Sequence, residues 1–123
     1  MLKDKRGIAQ TQHNLGIISF AYGDLDKANL QYLDSFRIKQ KLGDKRGMAI
    51  TLHQMGNLAC AINDMEEARS LYQESLKIER ELKDKQGMAI TLAQLLLLEE
   101  NAANISGKQQ QIKHYERLEK KGR

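Results

Sequence analysis

Residues 42–81 repeat residues 2–41 without a gap, 15 of the 40 aligned positions being identical. The shared pairs include Asp4/Asp44, Gly7/Gly47, Thr11/Thr51, His13/His53, Gly16/Gly56, Ala28/Ala68 and Tyr32/Tyr72. Residues 82–98 repeat 42–58 with 11 of 17 positions identical, after which the third copy diverges. A period of this length constrains the fold more than any composition does, because one such unit cannot bury its apolar face alone and must stack on its neighbours. The expected organisation is a single array over 1–123, with units at 2–41 and 42–81 and a degenerate third unit or cap at 82–123.

Within a unit the apolar spacing is helical. Ile50, Leu52, Met55, Leu58, Ala59 and Ile62 form one broad face, and Met65, Ala68, Leu71, Tyr72, Leu76 and Ile78 form another. The chain has no Pro or Trp and only 5% aromatic residues, which favours helix over strand. Two helices per unit are expected. Gly23 or Asn63 suits the left-handed position that ends a helix, and Asp24 or Asp64 suits the N-cap of the next. Glu67 completes a capping box with Asp64. Asp4, Asp44 and Asp84, each opening an Asp-Lys-Arg/Gln-Gly motif, are expected to cap the first helix of each unit.

These residues resemble the tetratricopeptide repeat family, whose pattern reads W-x2-L-G-x2-Y, then A-x3-F, then P. Leu15-Gly16 and Met55-Gly56 match the L-G pair, Ala28 and Ala68 the small residue, Tyr32 and Tyr72 the aromatic, and Ser35 and Ser75 the small position after it. The Trp is replaced by Gln12 and Leu52, and the terminal Pro is absent. The period is similar to that of the longer-helix variety in kinesin light chains, spindle-orientation adaptors and many bacterial regulators. The resemblance implies an all-α fold, a right-handed superhelix of antiparallel helix pairs. Gly16 and Gly56 then fall mid-helix at a cost of about 1 kcal/mol each relative to Ala, which close packing would offset. Ala28 and Ala68 are expected to face these glycines, with Tyr32 and Tyr72 filling the space between units.

In the third copy the L-G pair becomes Leu95-Leu96, Asn63-Asp64 becomes Ala103-Asn104, and Ala68 becomes Lys108. The expected outcome is a first helix longer by about one turn, stopped near Ser106-Gly107, then a short helix with an apolar edge of Ile112, Tyr115 and Leu118 that solvates the end of the array. No equivalent cap precedes the first unit. An exposed apolar flank is therefore expected, to be covered by further repeats of a longer array or by a second subunit in a homo-oligomer.

The recurrent Asp-Lys-Arg/Gln-Gly has neither the spacing nor the preceding strand of a phosphate-binding loop and reads as an inter-unit turn. His13 and His53 share a register, yet equivalent positions on stacked helices stand about 8–10 Å apart, too far for one metal ion. Cys60 and His53 lie two helical turns apart, roughly 10 Å, which excludes a direct thiolate pair. Glu66-Glu67 and Glu99-Glu100 read as solvent-facing or helix-capping. No catalytic constellation, metal site or cofactor is expected, and the reading is of a non-enzymatic chain.

What remains is surface. The resemblance implies that the first helix of each unit lines a concave groove. Its register assigns Gln10, His13, Asn14, Ile17 and Phe20 from the first unit. The second supplies Ile50, His53, Gln54, Asn57, Cys60 and Ala61. The third supplies Ile90, Ala93, Gln94, Leu97, Glu100 and Asn101. Amide and imidazole groups among small apolar residues suit the backbone of a protein or peptide ligand, with Phe20 and Leu97 receiving side chains. Asn57 matches a groove position where related proteins hold peptide backbone. The family's carboxylate clamp is not reproduced, since its Lys, Asn and Arg positions read His13, Ile17 and Gln94.

The formal charge of +4 lies entirely in the tail: residues 108–123 carry six Lys/Arg against Glu116 and Glu119, so 6 − 2 = +4 and the first 107 residues are neutral. With Tyr115 as its only aromatic, that tail reads as a solvated helix face rather than a nucleic-acid surface. The lone Cys60 has no internal disulfide partner, no apolar run reaches about 20 residues, and the N-terminus lacks an apolar signal core. A cytoplasmic chain without membrane contact is expected.

Overall fold

The computed structural model describes residues 4–121. Leu2, where the first unit begins, and Arg123 of the basic tail lie outside them. Five helices run in order: α1 (Lys5–Ala21), α2 (Leu25–Leu42), α3 (Lys45–Ala61), α4 (Met65–Glu81) and α5 (Lys85–Lys121). No strand occurs among the described residues. α1 pairs with α2 and α3 with α4; α2 packs on α3 and α4 on α5, so the chain is an all-α solenoid of antiparallel helix pairs.

The corners form where the turn chemistry allows them. Gly23 (φ 83°) and Asn63 (φ 64°) take the left-handed conformation between the helices of a unit, as expected, and Gly43 (φ 68°) and Lys83 (φ 56°) do the same between units. After each corner an aspartate caps the next helix: Asp24 accepts from Lys27 N, Asp44 from Gly47 N, Asp64 from Glu67 N and Asp84 from Gly87 N. Two capping expectations fail. Asp4 makes no side-chain cap bond because its backbone is already in the right-handed helical region. Glu67 does not close a capping box, because the Asp64 N–H is taken by Ala59 O at 2.8 Å in the preceding helix end.

Each hairpin closes on a glycine-to-tyrosine contact. A Cβ on Gly16 would stand 2.6 Å from the Tyr32 ring, and one on Gly56 would stand 2.5 Å from that of Tyr72. The tyrosines therefore occupy the glycine notches within their own unit, where the alanines were expected. Ala28 and Ala68 are fully buried nearby in the core. One turn further on, Ser35 Oγ donates to Ala9 O at 2.7 Å and Ser75 Oγ to Ala49 O at 2.9 Å, which pins each second helix to its first by the same bond in both units. Leu52, Met55, Leu58 and Ala59 enter the core with Ala68, Leu71, Tyr72 and Ile78. Ile50 and Ile62, expected on the same face, are about half exposed, because the core-facing stripe of α3 is narrower than the apolar stripe of its sequence.

The third unit departs from expectation. α5 runs unbroken through Ser106-Gly107 for 37 residues. Ala103 stands where Gly23 and Asn63 turn the chain, and an alanine favours helix over the left-handed conformation. Residues 99–121 are exposed throughout, so Ile112, Tyr115 and Leu118 do not pack back as a cap.

Gly56→Ala should lower stability by about 1–3 kcal/mol in urea denaturation despite the better helix propensity of alanine, because its methyl meets the buried Tyr72 ring. Gly107→Ala, with nothing within 4 Å of the added methyl, should instead raise helicity by circular dichroism. Equal stability of Gly56→Ala and the parent would show that the close approach does not hold the hairpin.

Candidate functional site

Two hollows lie side by side along the surface presented by the first helices. A cavity of about 170 Å³ opens between α3 and α5 over α4, with Ile50, His53 and Gln54 on one wall and Ile90 and Thr91 on the other. Ser75 and Glu79 of α4 also line it. A second, of about 280 Å³, lies between α1 and α3 over α2, lined by Gln10, His13, Lys39, Arg46 and Ile50. Ile50 borders both, which explains why this isoleucine is left out of the core.

Beneath the hollows lie buried charges of opposite sign at equivalent positions. Lys39 and Glu79, 40 residues apart, are 5% and 4% exposed. Lys39 Nζ donates to Thr51 Oγ1 at 2.8 Å, and Thr51 Oγ1 lies 3.3 Å from His13 Nδ1. The hydroxyl accepts from the ammonium and keeps both a proton and a second lone pair, so either tautomer of a neutral His13 completes the contact. At the next junction the direction reverses: Thr91 Oγ1 donates to Glu79 Oε1 at 2.6 Å, and Ser75 Oγ lies 3.0 Å from the same oxygen. A hydroxyl serves either charge, so one residue type recurs while its partner changes sign.

Burial sets the ionisation of these groups. It pushes the His13 imidazole down to about 4, and the charge of Lys39 adds to the effect. It also lowers His53, against an opposing pull from Glu79, and lowers the Lys39 ammonium, which Asp44 partly restores. Tyr72 is raised by burial and by its neighbour Cys60.

The residues assigned to the groove by sequence fall into three groups. Gln10, His13, His53 and Gln54 line the hollows, together with Ile50 and Ile90. Asn57 and Cys60 meet at the Tyr72 hydroxyl: it donates to Asn57 Oδ1, and Cys60 Sγ lies 3.7 Å away. The Asn57 oxygen is thereby taken, and its amide nitrogen has no partner among the described residues. The rest are not gathered into either hollow. Phe20 is half-buried against the core, and Gln94 is half-buried on α5. Asn14, which accepts from Gln10 at 3.1 Å, is exposed, as are Ile17, Leu97, Glu100 and Asn101. Sequence reasoning missed Lys39, Glu79, Thr51 and Thr91. The recurrence of threonine at 51 and 91 was a signal, whereas Lys39 and Glu79 share neither residue type nor charge and so give no recurrent pattern. No cluster of three His, Cys, Asp or Glu able to hold a metal occurs among the described residues, and none of their helices is long and apolar enough to cross a membrane.

No family model matches this chain, and no curated protein does. Among solved structures it is similar to the crystal structure of BtubC (BKLC) from P. vanneervenii, with a TM-score of 0.71 at 19% identity over 80% of this chain. The chain spans 41% of the length of that protein. The likeness supports a tetratricopeptide-like helical-repeat fold.

The depressed His13 pKa makes stability pH-dependent. Between its ordinary 6.5 and about 4 the imidazole is charged in the unfolded chain and neutral in the fold, so unfolding takes up a proton and stability falls as pH drops through that window. The full loss from this residue is about 3 kcal/mol. His13→Gln should flatten the urea midpoint against pH between 6.5 and 4; a parallel profile would mean that the imidazole is not held neutral.

Proposed function

We propose that this chain is a non-enzymatic scaffold whose first-helix surface holds an extended segment of a protein or peptide. The observation that carries this reading is the pair of adjoining hollows between α1, α3 and α5, walled by Gln10, His13, Ile50, His53 and Gln54. Their spacing follows the stacking of the units, about 8–10 Å, so side chains two to three residues apart on one extended ligand reach neighbouring hollows. Asn57 supports the same reading. With its oxygen fixed by Tyr72, its amide nitrogen is a positioned donor for a ligand carbonyl, and Tyr72 is the positioning residue. The groove belongs to a larger regulatory assembly in this reading, as a module that carries a partner and performs no chemistry.

A second reading, self-association, is favoured by the apolar residues that α1 and α2 leave outward, Ile8, Leu15, Ile18 and Leu30, each at least 41% exposed. Light scattering over a concentration series separates the two, since a strict monomer removes the second.

Peptides selected from a displayed library on the whole chain should lose at least about tenfold in affinity with Ile50→Asp or His53→Ala, each of which leaves the helical content unchanged. Asn57→Ala should weaken them by a few-fold, and Tyr72→Phe by less. Peptides whose binding ignores all four changes would place the ligand surface elsewhere.

A further inference from the structure

We infer that residues 105–121 are the second helix of the third unit and close over the Leu92–Leu96 face of α5, so that the straight helix is the open state of a hairpin. The register of the repeat carries this. In the second unit Gly56 receives Tyr72, and the third unit has Leu96 and Ile112 at those positions, so the side that was small becomes large and the large side smaller. The core alanines Ala59 and Ala68, which flank the Asn63 corner, become Glu99 and Lys108, a pair of opposite charge. Both changes become complementary when the two halves of α5 face each other as α3 and α4 do.

Exposure shows what the open state leaves uncovered. Leu92 is 48% exposed where its equivalent Leu52 is 2%, and Ile112 is 57% exposed where Tyr72 is 1%. Glu99 Oε1 accepts from Arg69 Nε at 3.1 Å, which leaves Oε2 for Lys108.

A second copy cannot do the same work. At about 100° per residue, the stripe of Leu92, Leu96 and Glu99 and the stripe of Ile105, Lys108 and Ile112 lie about 180° apart on the continuous helix. An antiparallel partner along a straight helix meets one side of it and covers one stripe. Folding back at 101–104 turns each stripe onto the other. The corner is weak by composition: Ala103 occupies the left-handed position and Asn104 the cap, where the second unit has Asn63 and Asp64. Closing buries the apolar stripe; opening exposes it.

The test is a pulsed dipolar distance in the whole chain with Gln86→Cys and Lys120→Cys spin-labelled on a Cys60→Ser background. The open helix places these positions about 51 Å apart, and the hairpin brings them to roughly 10–20 Å. The expected result is a short-distance population in the parent that grows with Ala103→Asn plus Asn104→Asp and vanishes with Ile112→Glu. It should persist when labelled protein is diluted into unlabelled protein. The long distance alone in the parent overturns the proposal, as does a short distance that disappears on dilution, which would make the contact one between copies.

Discussion

Everything in this molecule hangs on a tyrosine ring seated on a glycine. Tyr32 on Gly16 and Tyr72 on Gly56 set how closely the two helices of a unit approach. At that approach Ser35 and Ser75 reach backbone carbonyls of the facing helix, and the alanines of the second helix are fully buried. A residue with a Cβ in the notch would push the second helix outward and separate the serine from its carbonyl. The glycine's cost in helix propensity is thus offset by packing that only the hairpin provides.

The same geometry positions the surface that the first helices present. Because Tyr72 lies under α3, its hydroxyl emerges beside Asn57 and Cys60 and orients the amide. Stacking one unit on the next then encloses the end of each second helix, which buries Lys39 and Glu79. A buried charge must be solvated by the protein itself, and Thr51 and Thr91 do this. The junctions are therefore identical in hydroxyl and opposite in charge, and the hollows above them differ in electrostatic character.

The capping glycine of the Asp-Lys-Arg/Gln-Gly motif has a local reason. A Cβ at Gly47 or Gly87 would collide with the capping carboxylate of Asp44 or Asp84, whereas Gly7, whose Asp4 does not cap, has open space around it. The motif is a helix start.

The period, the helix pairs and the corners at Gly23 and Asn63 were legible in the sequence, because each depends on residues within a turn or two of one another. So was the placement of Gln10, His13, His53 and Gln54 on one surface, since the register of a repeat propagates from unit to unit. Three things were decided only by tertiary structure. The burial of Lys39 and Glu79 depends on a threonine 12 residues away on another helix. The engagement of Asn57 depends on a hydroxyl 15 residues away across the hairpin. The outward turn of Ile50 depends on where two neighbouring helices leave a gap. Local chemistry writes helices and turns directly into the chain, whereas the ionisation and hydrogen bonding of a side chain belong to whatever the stacked units bring beside it.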